Sequence, residues 1–175
     1  MNRFMIVVNP DKDTDSIVTN RIQSYLEAHG AACMVRDVFH LESSDWEALK
    51  KEQFDCVLVL GGDGTLLRMA GETEDIDIPL FGINLGTVGF LTEGEVANIE
   101  EILDRLLTDD FTIEERMMVT GTVTKADGTT YRKSALNDIV ISRAGFSRLI
   151  GLNVSVDGQV LDLSLIHISE PTRRR

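Results

Sequence analysis

Cysteine and histidine are scarce in this chain, and their scarcity closes off two kinds of site. The 2 cysteines, Cys33 and Cys56, lie far apart in apolar stretches that read as strands, so no Cys-x-x-Cys pair can be written. Both are expected to be buried free thiols. The 3 histidines are scattered and assemble no metal-ligand cluster. Long apolar runs are also missing. Phe4 to Val8 is among the longest, far short of the ~20 residues that a bilayer-spanning helix needs. It is also shorter than a signal-peptide core, and no small-residue cleavage site follows. The protein is therefore expected to be soluble and cytoplasmic, with no membrane partner. Positive charge is the last shortage. Lys and Arg number 17 against 29 Asp and Glu, a net charge of −12, and three of the cations are the terminal Arg173, Arg174 and Arg175. So acidic a chain is a poor match for nucleic acid or anionic lipid. If it binds phosphate, a local device must hold the anion against the global field.

What remains is an ordinary globular balance, 43% hydrophobic and 26% charged over 175 residues. That length allows one domain, or one domain plus part of a second. Phe4–Val8 is a continuous apolar run closed by Asn9-Pro10, as in a strand buried on both faces. Ile17 or Val18, Ile22, Tyr25, Leu26 and His29 recur at helical spacing, and Gly30 supplies the stop. Ala32–Val38 reads as a second strand. Ser44 and Glu47 have the spacing of a capping box for a helix through Lys51. Cys56–Leu60 is a third buried strand, and Leu66, Leu67, Met69 and Ala70 belong to a helix after it. Pro79–Ile83 is a fourth strand. Ile99, Ile102, Leu103, Leu106 and Leu107 mark an amphipathic helix. This alternation over residues 1–108 predicts an α/β fold, a Rossmann-like parallel sheet with helices on both faces.

After Asp109-Asp110 the period falls to two, with Val119, Gly121 and Val123 alternating with threonines. Asp127-Gly128 and Asp157-Gly158 are turn signals, and Ala135–Ser142 and Leu149–Val156 read as strands. A β-rich second domain is thus expected to start near residue 109. The last stretch, from Leu163, begins like a strand but ends in Pro171 and a block of arginines, and the chain looks cut short.

Gly61-Gly62-Asp63-Gly64-Thr65 is the sharpest motif. It leaves the carboxyl end of a buried strand and opens a helix, the edge at which α/β sheets bind ligands. Its glycines let a ligand approach the backbone, and its N–H groups can point at an anion. It is neither a P-loop nor a dinucleotide fingerprint. Asp63 is awkward in a loop that only binds phosphate. It makes sense as a proton acceptor for an attacking hydroxyl, or as a contact to the Mg²⁺ that accompanies ATP. On these residues alone a plain Asp-Gly turn is the alternative. A second Gly-rich edge runs from Gly82 through Asn84 and Phe90 to Glu93. Phe90 could stack on a base there, or lid the core. Asn137-Asp138 interrupts an apolar strand. The pair suits a nucleoside, or else is one buried and one exposed polar side chain. Arg68, Arg143 and Arg148 are the basic candidates for phosphate; each alone reads as a surface arginine.

Together these features resemble the bacterial NAD kinases, from Phe4 to about Asp162. The landmarks are Gly61 to Thr65 with Arg68 after it, Asn84 to Glu93, and Leu136-Asn137-Asp138-Ile139-Val140. The first motif is shared with diacylglycerol and sphingosine lipid kinases and with phosphofructokinase. The second discriminates, because lipid kinases tend to carry Pro-x-Gly-Thr-Gly-Asn where this chain has Asn84-Leu85-Gly86-Thr87-Val88-Gly89-Phe90-Leu91. The resemblance implies transfer of the ATP γ-phosphoryl group to the 2′-hydroxyl of the adenosine ribose of NAD, giving NADP. By the same resemblance Asp63 is the proton acceptor. Gly61, Gly62, Gly64, Thr65 and Asn84 belong to the nucleotide site. Arg68, Asn137, Asp138 and Arg148 contact NAD, and Phe90 packs near its adenine. Mg²⁺ or Mn²⁺ is expected with ATP, and some members also accept polyphosphate. The family is usually homo-oligomeric, the second domain of one subunit completing the site of another. Past Asp162 the family continues with an Asp-Gly segment and a Thr-Pro-Thr-Gly-Ser-Thr-Ala-Tyr stretch that this chain lacks. Residues 109–162 are therefore expected to be an incomplete NAD-binding domain, and 163–175 a foreign or frameshifted tail. The alternatives are a lipid kinase or phosphofructokinase-type kinase of the same superfamily, or a fragment that binds nucleotide without turnover.

Overall fold

The computed structural model describes residues 1–86, 89–142 and 150–166. The chain divides into two compact units, Met1–Ile139 and Val140–Arg175.

In the first unit the strands are β1 (Arg3–Val8), β2 (Ala32–Asp37), β3 (Cys56–Gly61), β4 (Leu80–Asn84) and the short β5 (Gly94–Glu95). The helices are α1 (Ile17–Ala28), α2 (Ser43–Lys51), α3 (Asp63–Glu72) and α4 (Ile99–Leu107). The five strands form one parallel sheet in the order β2-β1-β3-β4-β5. Beyond Arg3, β1 is apolar and buried, as is β3, because both faces of these strands are covered. Successive residues point to opposite faces. Phe4, Ile6, Cys56, Leu58 and Leu60 pack with Ile22 and Leu26 of α1 and Ile99, Leu103 and Leu106 of α4. Met5, Val7, Val57 and Val59 pack with Leu49 of α2 and Leu66 and Met69 of α3. Each such fully buried aliphatic side chain contributes about 1.5–3 kcal/mol. The strand order explains the two layers. The β1-to-β2 connection runs one way along the sheet and the β2-to-β3 and β3-to-β4 connections run the other. Right-handed crossovers therefore put α1 on one face and α2 and α3 on the opposite face.

The first unit also holds β6 (Val119–Thr124) and β7 (Thr130–Ala135), an antiparallel pair separate from the parallel sheet. In the second unit β8 (Ile150–Val156) and β9 (Gln159–Ile166) form an antiparallel hairpin. Asp157-Gly158 is its two-residue turn, and both residues have positive φ, 51° and 79°. That matches the Asp-Gly signal in the sequence. The backbone of Leu163–Ile166 continues β9. The rest of the expected tail, from residue 167, lies outside the described residues.

Two local expectations are corrected. Ser44 is not the cap of α2. The cap is Glu42, two residues earlier, and the Asp45 carboxylate accepts the Glu42 N–H at 2.9 Å. Asp45 also pairs with Arg36 of β2 and is buried, so a tertiary anchor decides the cap in place of the local spacing. The expected strand over Ala135–Ser142 is absent. β7 ends at Ala135, Leu136-Asn137 form a bend, and 138–142 are irregular. A strand needs a ladder partner, and among the described residues no strand pairs with this segment. Asn137-Asp138 therefore do not lie on a strand. β5 is too short and polar to announce itself as a strand.

Candidate active site

Between β1 and β3 the connections diverge, so a crevice opens beyond the carboxyl ends of these neighbouring strands. That is the topological switch point at which open α/β sheets bind ligands. The loop after β1 is firmly held. The Asn9 N–H donates to the Leu60 carbonyl at 2.9 Å, continuing the ladder. Asn9 in turn accepts the Asp11 N–H on Oδ1 and the Lys12 N–H on its carbonyl, both at 3.0 Å. Asp13 is buried and takes the Thr19 hydroxyl at 2.6 Å, the Thr19 N–H at 2.8 Å and the Val18 N–H at 3.2 Å. Burial pushes its carboxyl upward, but these hydrogen bonds together hold it below its ordinary value. Lys12 thus projects from a turn anchored on either side.

The loop after β3 is built by close approach. A Cβ on Gly61 would lie 2.3 Å from Thr65 Oγ1, so buried Thr65 folds back beneath the strand end. Thr65 and Leu66 both donate their N–H to the Gly62 carbonyl, at 2.9 and 3.1 Å. A Cβ on Gly64 would meet nothing within 4 Å. The start of α3 therefore presents the backbone of Asp63 and Gly64, whose N–H groups precede the first helical hydrogen bond, to open space.

The loop after β4 closes on this one. The Leu85 N–H donates to the Gly61 carbonyl at 2.8 Å, and buried Asn84 accepts the Gly86 N–H on Oδ1 at 2.9 Å. Residues 87 and 88 lie outside the described residues. Beyond them the loop grips Asp63. Oδ2 accepts the Phe90 N–H at 2.8 Å. Oδ1 accepts the Leu91 N–H at 3.1 Å, the Thr92 N–H at 3.2 Å and the Thr92 hydroxyl at 3.3 Å. The Phe90 N–H foremost, then those of Leu91 and Thr92, hold the Asp63 carboxyl below its ordinary range. The clasp depends on Gly89, where a Cβ would stand 2.1 Å from Asp63 Oδ1. The Phe90 backbone is thereby fixed while its ring is fully exposed.

A cleft of about 260 Å³ lies over the crevice, lined by Asn9, Lys12, Val38, Phe39, Gly62, Asp63, Gly64, Thr65 and Arg68. The Arg68 guanidinium sits 5.8 Å from the centre of the Phe39 ring. Among the described residues no three His, Cys, Asp or Glu side chains gather as a metal site, and no helix is long and apolar enough to cross a membrane.

The profile of the ATP-NAD kinase N-terminal domain matches residues 4–111, more than half of the chain. The chain belongs to the NAD kinase family. It is 39% identical over 165 residues to the NAD kinase of Lachnoclostridium phytofermentans, covering 92% of this chain and 58% of that protein. It is likewise 39% identical to the NAD kinase of Agathobacter rectalis, covering 93% of this chain and 57% of that protein. The crystal structure of yeast NADH kinase complexed with NADH shares the fold, with a TM-score of 0.70 at 18% identity over 93% of this chain and 54% of that one. The chain spans somewhat more than half the length of the curated relatives that it matches.

In this NAD kinase-family chain the structure gathers most of the residues singled out in the sequence. Gly62, Asp63, Gly64, Thr65 and Arg68 share the cleft, and Gly61 supports it from below. Asn84 and Phe90 sit on the loop that clasps Asp63. Asn137 and Asp138 are exposed and do not line the cleft. Arg143 and Arg148 lie outside the described residues. The sequence reading missed Asn9, Lys12 and Phe39, and had Gly89 and Thr92 only as members of the second glycine-rich edge. Asn9-Pro10 was legible only as the end of a strand. Its place beside the glycine loop follows from the strand order.

Proposed function

We propose that the protein acts as an ATP-dependent NAD kinase. The γ-phosphoryl group of ATP passes to the 2′-hydroxyl of the adenosine ribose of NAD, giving NADP and ADP. The bond from O2′ to the γ-phosphorus forms as the bond from that phosphorus to the β–γ bridging oxygen breaks. The hydroxyl proton goes to Asp63. The observation that supports this best is the Asp63 clasp at the switch point. Among the described residues Asp63 Oδ2 accepts one hydrogen bond, from Phe90, which leaves it a lone pair for a hydroxyl, while Oδ1 is taken up by Leu91 and Thr92. A carboxyl so held is a weak base. That suits a loose phosphoryl transition state, in which positioning and charge matter more than early proton removal.

The glycine loop and the start of α3 receive phosphates through backbone N–H groups. Phe90, with its backbone tied and its ring exposed, offers a stacking face to adenine. Arg68, Asn137, Asp138 and Arg148 are assigned to NAD by the family resemblance. No protein ligand is assigned to the Mg²⁺ or other divalent ion, which would arrive on ATP and neutralise charge there. A domain boundary near residue 108 is supported by the family profile ending at residue 111 and not by the compact units, which part after Ile139; on this reading 109–162 begins the second, NAD-binding domain. The protein works in the cytoplasm and, at the length of its relatives, as a homo-oligomer.

The test is NADP formation by a chain extended to its relatives' length, with and without Asp63→Ala. Loss of the positioned base lowers turnover about 10²–10⁴-fold. Undiminished turnover would rule Asp63 out as the proton acceptor.

A further inference from the structure

In this acidic chain the cleft collects two cations, Lys12 and Arg68, at the start of α3. Arg68 is stacked on Phe39. Lys12 forms no ion pair among the described residues. Its ammonium occupies the space over the glycine loops, 2.6 Å from where a Gly62 Cβ would stand and 3.8 Å from the equivalent point on Gly86. The turn beneath it is fixed by Asn9 on one side and buried Asp13 on the other. An exposed lysine on a loose loop spends its entropy in solvent. This one springs from an ordered turn, and its charge ends over backbone that carries no side chain.

We propose that Lys12 is a phosphate-binding residue for the phosphoryl donor, contacting the polyphosphate of ATP over Gly62. The assignment to donor and not acceptor follows from the two sides of the loop. The Asp63 carboxylate turns toward the β4 loop, where it is clasped by Phe90–Thr92. Lys12 reaches Gly62 from the β1 side. In an in-line displacement the attacking and leaving oxygens stand on opposite sides of the transferred group. The hydroxyl that meets Asp63 and the phosphates that meet Lys12 are therefore on opposite sides too. A compact ammonium suits this role, since it can follow a phosphate without the fixed fork of an arginine. The inference rests on the kinase reading given above.

Calorimetric titration of the 175-residue chain with Mg-ATP, tripolyphosphate, adenosine and NAD tests it, using wild type, Lys12→Met and Lys12→Arg. Lys12→Met is expected to weaken Mg-ATP and tripolyphosphate about tenfold, the loss of one charge-assisted hydrogen bond. Adenosine and NAD affinities stay within about twofold, and the salt dependence of Mg-ATP binding becomes shallower. Lys12→Arg keeps most of the phosphate affinity. Lys12 is exposed, so equal melting temperatures are expected. Lys12→Met binding Mg-ATP as well as wild type overturns this inference alone, and equal losses for Mg-ATP and NAD overturn the assignment to the donor. A wild-type chain that binds neither Mg-ATP nor tripolyphosphate refutes the kinase reading, and this inference with it.

Discussion

Gly89→Ala is a one-methyl test of whether the β4 loop positions Asp63. The new Cβ would stand 2.1 Å from Asp63 Oδ1, 2.6 Å from Cγ and 2.9 Å from Oδ2, while real Cβ atoms essentially never come closer than 3.0 Å. The change adds a single methyl, so the contact with Asp63 is what it tests. The carboxylate cannot yield freely, because it is gripped by three backbone N–H groups and the Thr92 hydroxyl. Either the loop or Asp63 must move by about 0.9 Å, the gap between 2.1 Å and 3.0 Å. A reacting group misplaced by about 1 Å costs about 10²-fold in rate. The assay is NADP formation from NAD and Mg-ATP by the relative-length protein, with Mg-ATP affinity measured alongside. Turnover is expected to fall about 10²-fold while Mg-ATP affinity falls much less, because the atoms nearest the new methyl all belong to Asp63. Wild-type turnover in Gly89→Ala would refute the claim that the clasp sets the position of Asp63.

Gly61→Ala drives a methyl into Thr65 and should lower stability by about 1–3 kcal/mol. Gly64→Ala meets nothing in the structure, so its melting temperature should equal or exceed wild type while nucleotide affinity falls; unchanged affinity would make Gly64 a turn residue only. Asp63 titrates below its ordinary 3.8, so its contribution to loop docking is complete above pH 3.8 and is lost as pH falls through the lowered value. The Phe90 amide chemical shift, followed by NMR, should therefore stay constant from pH 7 to about pH 5 and move only in strong acid. Asp13→Ala removes the acceptor for the first N–H groups of α1 and should cost about 0.5–2 kcal/mol in denaturant unfolding. Cys56, buried and pushed up to about 12, should resist alkylation at pH 8 in the folded chain and react on unfolding.

The parts of the fold that the sequence made legible are those in which burial acts on both sides. Phe4–Val8 and Cys56–Leu60 are apolar without alternation because helices cover both faces of the sheet. Gly61–Thr65 was legible because glycines at a strand end serve backbone approach. The Asp63 clasp was not, because its donors lie 27 to 29 residues away and are mostly backbone N–H groups, which carry no residue signature. Lys12 was hidden for a related reason. Nothing near it in the chain announces that β1 lies beside β3, and only that adjacency brings it over Gly62. The Ala135–Ser142 segment misled in the opposite sense. Its apolar residues have the composition of a strand, but a strand exists only with a partner, and Ile139, Val140 and Ile141 are exposed.

On the proposed reading the cleft over Gly62–Gly64 transfers phosphoryl groups to NAD. The most direct measurement offers γ-labelled Mg-ATP to the relative-length protein together with NAD, diacylglycerol and fructose 6-phosphate, and locates the label. Label is expected on NAD alone, at the 2′-hydroxyl of the adenosine ribose, and about 10²–10⁴-fold more slowly in Asp63→Ala. Label on diacylglycerol or fructose 6-phosphate, or label on NAD that persists undiminished in Asp63→Ala, would contradict that reading.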